Sequence, residues 1–259
     1  MARLFNGSSQ YASYEVGNFS ITNEPITMAC WAVCNVTAGI DTVMQVGSND
    51  EDSYYRLFFY GTGAGDPIGA QSLKVGVSNA FAETTTGYSQ STLHHIAGVF
   101  ASDISRSVYI DGGSKGISTT EVVLSVTNPT AAIGALKPTG VATDFLDGTA
   151  AECGIWNVVL TDAEVAGLAL GYSPLLIRPQ SLVAYWPLIG RTSPEIDLVG
   201  GYDMTLVNAP TTAAHPPVMY PVSPQMFRPP PPAGIAALNL NHSPGNLAAW
   251  KTGVRIVSA

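Results

Sequence analysis

Short apolar runs separated by polar turns make up most of the chain. Residues 26–36 (ITMACWAVCNV) are apolar at odd and even positions alike, as in a strand covered on both faces. Runs at 42–46, 54–60, 73–77, 96–100 and 107–110 follow, set apart by segments rich in Gly, Ser, Asn and Asp. Their length and their β-branched or aromatic content predict strands. Asp111-Gly112 supplies the positive φ angles of a tight hairpin turn. Further strands are predicted at 122–126, 131–134, 149–156, 183–186 and 204–207. Within 149–156, alternation places Ala151, Cys153 and Ile155 on one face and Glu152 on the other. About a dozen strands at this spacing predict an all-β fold, a two-sheet antiparallel jelly-roll sandwich.

One short helix interrupts the strands. Thr161 is placed as its N-cap, and Glu164 three residues later completes a capping box. Leu160 before the cap can pack on Val165, and Gly171 suits a left-handed C-terminal close. A helix of about two and a half turns needs a sheet to lean on, so its predicted role is architectural.

The composition narrows the class. Only 12% of the 259 residues are charged, against about 25% in ordinary globular chains. At this length, 46% apolar residues can build a core without disulfides or metals. The net charge is −8 and no basic stripe occurs, which excludes nucleic-acid binding led by phosphate contacts. No apolar stretch reaches the roughly 18 residues that span a bilayer, so no membrane segment is expected. The opening MARLFNGSSQ lacks a charged region followed by an apolar stretch, so no secretory leader is expected. Of the three cysteines, Cys30 and Cys34 on one strand would lie about 13 Å apart, too far to bridge. Reduced, buried thiols are expected.

The last 45 residues differ from the rest. From position 215 to 259 there are nine of the 18 prolines and no Asp or Glu. The basic residues there are Arg228, Lys251 and Arg255, giving +3, while residues 1–214 carry 8 basic against 19 acidic groups, −11. Arg228 precedes Pro229, Pro230, Pro231 and Pro232, a polyproline II run. Val254, Arg255, Ile256 and Val257 form a candidate strand for addition to a neighbour's sheet edge. The expected organisation is a sandwich over 1–214 and an extended Pro-rich arm over 215–259 that docks on a neighbour.

Several segments resemble the laminin G-like jelly rolls of the concanavalin A-like lectin/glucanase superfamily. Leu4-Phe5-Asn6-Gly7 with Tyr11 is similar to the family's opening strand, and 26–33 to its tryptophan-bearing strand, with Trp31 in that place. LHHIAGVF (93–100) followed by VYIDG (108–112) resembles its central hairpin, Leu93 standing where Trp is usual. Residues 145–156 with LTDAEV (160–165) resemble the late strand and helix, and LVAYWPL (182–188) a segment that opens many relatives but here follows the helix. The resemblance spans about 1–210 and implies the fold. One sandwich hosts lectins, adhesion domains and hydrolases, so it implies little about function. With such a C-terminal segment the chain also resembles structural proteins of bacteriophages.

The superfamily's glucanases alternate carboxylates on one strand across the sugar. Glu195-Ile196-Asp197 begins that pattern, but Leu198-Val199-Gly200-Gly201 ends it without the third acid, so a solvated pair before a turn is expected. His94 and His95 face opposite sides of a strand and cannot chelate one ion, one being expected inward and one at the surface. Phosphate loops, dinucleotide fingerprints and nucleophile elbows are absent from the sequence. No enzyme activity and no cofactor are therefore expected, with calcium the one ion to weigh: Asp50 and Asp52 in one acidic loop, Asp144 and Asp147 in another. For a glycan, Tyr54, Tyr55 and Tyr60, or Tyr11 and Tyr14, are the candidate aromatic platforms.

Two functions stand open. One is a non-enzymatic viral structural protein, a capsid-decoration or tail-appendage component assembled in the host cytoplasm with other virion proteins and copies of itself through the sandwich and arm. The alternative is a carbohydrate-binding, host-adhesion module that contacts a surface glycan.

Overall fold

The structure is a computed structural model that describes residues 1–16, 18–48, 53–137, 140–190 and 192–221. Arg228, Pro229–Pro232 and Val254–Val257, predicted as docking residues, lie outside the described residues, as do Asp50 and Asp52. The compact unit runs Met1–Pro221, so the first seven residues assigned to the arm belong to the folded body.

Two antiparallel sheets face each other. The first has the order β10 (Gly113–Ser118), β9 (Ser105–Ile110), β8 (Leu93–Ser102), β3 (Ile26–Cys34), β12 (Asp147–Trp156), β1 (Ala2–Asn6) and β15 (Thr211–Ala213). In it β13 (Leu182–Trp186) also pairs with β12. The second runs β14 (Thr205–Val207), β2 (Tyr11–Tyr14), β11 (Pro129–Ile133), β4 (Ile40–Ser48), β5 (Ser53–Tyr60), β6 (Ile68–Lys74) and β7 (Ser78–Glu83). The predicted sandwich is present. Phe5, Ile26, Met28, Leu57, Phe59, Phe100, Ile133, Ile155 and Trp186 pack between the sheets. Cys30, Cys34 and Cys153 are free and buried.

Some strands differ from the pattern read in the sequence. The run at 73–77 ends as a strand at Lys74, because Gly76 at φ +71° turns the chain and Val77 N–H closes on Lys74 O at 3.0 Å. Residues 122–126 alternate as expected, with Val122, Leu124 and Val126 buried and Val123 exposed. They form no ladder: Val122 N–H and Val126 N–H go to the loop carbonyls of Asp103 and Thr22. Asp111 (φ +52°) and Gly112 (φ +73°) make the expected hairpin turn.

Helix α1 (Asp162–Ala169) covers the outer face of the first sheet. Glu164 N–H donates to Thr161 Oγ1 at 3.3 Å, and Thr161 N–H to Glu164 Oε2 at 2.8 Å, closing the capping box. Leu160, Val165 and Leu168 pack with Val99, Tyr109 and Trp156 in a second apolar cluster between helix and sheet. Gly171 at φ +93° ends the helix as expected, and Pro217 O passes only 2.8 Å from where its Cβ would stand.

Strand β12 changes partner half-way: β1 pairs with 147–150 and β13 with 153–156. Glu152 sits at the junction with φ +56°, a strained value for a residue with a side chain, at an irregularity in the β3 pairing. Its carboxylate is buried and accepts Tyr185 Oη–H at 2.6 Å and Tyr220 Oη–H at 2.7 Å, with His215 Nε2 3.1 Å away. His215 Nδ1 lies 2.8 Å from Pro216 O. The Glu152 carboxylate beside it raises the pKa of His215 above the usual histidine value. A backbone clip completes the fastening: Met219 N–H donates to Gly171 O and Ser173 N–H to Met219 O.

The carboxylates of the 195–197 segment are buried, not solvated. Glu195 pairs with Arg3, whose Nη1 also donates to Pro210 O at 2.9 Å. Asp197 accepts the backbone N–H groups of Tyr185, Val199, Gly200 and Tyr202. His94 and His95 are both buried as well. His94 bridges Asp111 and Ser89 N–H, while burial pushes His95 down to about 4, keeping it neutral beside Trp31.

Two outcomes follow for stability. Asp197→Ala strands four backbone donors and is expected to cost about 3 kcal/mol or more, against about 1 kcal/mol for Thr161→Ala, read from urea midpoints. Glu152 raises the pKa of His215, so the pair's contribution is complete below about pH 6.5 and fades as pH rises through the raised folded value. The melting-temperature gap between the chain and His215→Ala should therefore shrink from about pH 6 to about pH 9; a constant gap would contradict the ion pair.

Candidate functional site

The two sheets expose different outer faces. That of the first sheet is covered by α1 and its apolar cluster. That of the second carries a cavity of about 280 Å³ lined by Ile40, Arg56, Phe58, Tyr60, Gln71, Leu73, Asn79 and Phe81. The sequence SYYRLFFY of β5 explains the division. Tyr55, Leu57 and Phe59 alternate into the core, and Tyr54, Arg56, Phe58 and Tyr60 take the outer face.

Three rings form the apolar part of the site. Phe58, Tyr60 and Phe81 meet edge to face with centroids 5.7–6.2 Å apart. Phe58 is buried, whereas Tyr60 and Phe81 are half-buried. Gly69, opposite Phe58 on β6, makes this possible: a Cβ there would stand 2.2 Å from the Phe58 ring.

A polar row crosses the same face. Arg56 Nη1 donates to Asp144 Oδ2 at 2.6 Å, Arg56 Nε to Gln71 Oε1, and Gln71 Nε2 to Asn79 Oδ1 at 2.6 Å. The guanidinium also lies 4.5 Å from the Phe58 ring centroid. Asp144 arrives from the loop before β12, anchored by Thr42 N–H on its carbonyl at 2.9 Å.

The predicted platform residues separate. Tyr60 lines the cavity, and Tyr54 is buried on the same face, 5.8 Å from the Arg56 guanidinium. Tyr55 is core, packed 5.2 Å from the Phe100 ring, and cannot meet a ligand. Tyr14 turns inward against Tyr202, and Tyr11 lies beside Phe145 away from the cavity lining. Arg56, Phe58, Gln71, Asn79 and Phe81 were not singled out in the sequence, although the two-residue alternation of 54–60 already set Arg56 and Phe58 beside Tyr54 and Tyr60.

The two described acidic candidates for calcium have partners within the chain. Asp144 serves Arg56, and Asp147 accepts Asn35 Nδ2–H at 3.1 Å. Among the described residues, no group of three or more His, Cys, Asp or Glu could hold a metal ion. Burial, with the charges of Asp147 and Asp144 nearby, pushes the neighbouring Asp41 up to about 6.

The family profile described as concanavalin A-like lectin/glucanases superfamily matches residues 6–166, more than half of the chain. The chain belongs to this superfamily. Solved structures share its fold. A putative carbohydrate-binding protein from Bacteroides ovatus has a TM-score of 0.58 at 17% identity, covering 82% of this chain and 61% of that one. The chain thus spans about three fifths of that protein's length. A native heptameric SAP-like pentraxin from Limulus polyphemus has a TM-score of 0.51 at 14% identity, over 65% of this chain and 81% of that one. The CBM40 module of Ruminococcus gnavus IT-sialidase, bound to α2,3-sialyllactose, has a TM-score of 0.51 at 12% identity, over 65% and 98%. Among curated proteins no match was found. At these identities the superfamily likeness establishes the fold, and the face must be judged on its own residues.

Gly69→Ala tests that face. The added methyl displaces the Phe58 ring, at an expected cost of about 1–3 kcal/mol in a urea titration.

Proposed function

We propose that the protein is a non-catalytic carbohydrate-binding module whose ligand site is the outer face of the second sheet. The observation that carries this reading is the adjacency of an accessible aromatic group, Tyr60 and Phe81 over Phe58, and a polar row, Arg56–Gln71–Asn79, within one cavity. A sugar ring has apolar C–H faces and a polar rim. It needs both elements side by side, and a site of this kind combines apolar walls with few oriented polar groups. Superfamily membership and the carbohydrate-binding proteins of the same fold support the reading.

The carboxylates that resemble the glucanase pattern, and Glu152, are committed within the fold. Glu195 is committed to Arg3, Asp197 to four backbone donors, and Glu152 to two tyrosines and a histidine. The particle-assembly reading drew on the sandwich and on the arm 215–259, of which 222–259 lie outside the described residues, and no observation on the sandwich favours it over sugar recognition. A surface glycan is the proposed partner.

A glycan array followed by titration calorimetry tests the proposal. Tyr60→Ala and Phe81→Ala should each weaken the best ligand about tenfold or more, about 1.4 kcal/mol. Binding unchanged in both variants, or no glycan retained by the intact chain, overturns it.

A further inference from the structure

The direction of each hydrogen bond in the polar row is fixed by chemistry. A guanidinium carries five N–H donors and no acceptor. The Gln71 atom facing Arg56 Nε must therefore be the carbonyl Oε1, which leaves Gln71 Nε2 facing Asn79. Nε2 can only donate, so Asn79 meets it with Oδ1 and turns its amide nitrogen away. The row is thus polarised from end to end. Each side-chain carbonyl in it already accepts a bond from its neighbour, and its exposed end, Asn79, presents N–H.

Arg56 adds donors of the same sense. Its Nε and Nη1 make the bonds to Gln71, Thr42 and Asp144, and Nη2 enters none of them. Asp144 balances the charge from outside the cavity lining. The remaining lining side chains are apolar apart from the Tyr60 hydroxyl, which donates and accepts alike. The side-chain nitrogens of the wall that these bonds leave over, Asn79 Nδ2 and Arg56 Nη2, are therefore both donors.

Resting on the carbohydrate reading above, we propose that the sugar this face selects bears a carboxylate, received by Asn79 Nδ2 and Arg56 Nη2 while the ring lies on Tyr60 and Phe81. A carboxylate only accepts, and guanidinium matches its geometry. A neutral hydroxyl accepts from the same donors, but without the charge assistance that strengthens a carboxylate's bonds. The volume of about 280 Å³ suits one sugar ring rather than an extended chain.

Calorimetry on the full chain tests this with two matched pairs. Tri-galacturonate is compared with its methyl-esterified, neutral form, and α2,3-sialyllactose with lactose. The expected result is at least tenfold tighter binding of the acid in one pair, which also identifies the source of the carboxylate. Asn79→Asp exchanges the terminal donor for an anion on an exposed residue and should collapse that preference, with circular dichroism confirming the fold. Equal binding within both pairs, or preference for the neutral sugars, overturns the inference and leaves the carbohydrate reading in place. An acid preference that survives Asn79→Asp overturns the assignment to this row. Loss of all glycan binding, on the array as well, brings down the carbohydrate reading and this inference with it.

Discussion

The antiparallel pairing of β12 with β3 holds the molecule together. Residues 147–156 lie along β3 on one edge and divide the other between β1 and β13. One strand therefore joins the first residues of the chain, the tryptophan-bearing strand β3 and the segment after the helix. A strand with two successive partners needs an irregularity where they meet. Glu152 stands at that point, so the one strained residue of β12 coincides with a buried carboxylate. The cost of both is offset locally, by Tyr185 from β13 and by the segment that follows β15.

The sandwich handles its outer faces in opposite ways. On the first sheet, small and aromatic side chains (Ala29, Ala97, Tyr109, Trp156) accept a helix. On the second, Arg56 and Gln71 lie nearly buried without a covering element, because neighbouring side chains and the loop bearing Asp144 shield them laterally. A buried guanidinium is tolerated when its charge and most of its donors are matched. Meeting that requirement is what orients the amides of Gln71 and Asn79. Folding constraint and the proposed recognition chemistry thus share Arg56, Gln71 and Asn79.

What could be read in the sequence was what local physics decides. The capping box at Thr161 and Glu164, the Asp111-Gly112 turn and the core alternation of β5 depend on residues within a few positions of each other. The misread parts depend on distant neighbours. Residues 122–126 have a strand's alternation, but their backbone partners are single loop carbonyls. Glu195 and Asp197 look solvated beside Gly200-Gly201 until Arg3, 192 residues away, and the turn's own N–H groups close over them. Tyr55 was grouped with Tyr54 as a platform because adjacent aromatics read as one feature, although a strand sends them to opposite sides. The site lay half in view. The alternation of 54–60 held Arg56 and Phe58, while Gln71, Asn79 and Phe81 joined them only through the register of β6 and β7.

The fastening of residues 215–221 also defines where this body can be shortened. A chain cut after Ala214 keeps both sheets but leaves Glu152 with the Tyr185 hydroxyl alone and bares the edge at Gly171. The smallest self-sufficient version therefore ends beyond Tyr220, and fusions or labels belong after that residue rather than at the last strand.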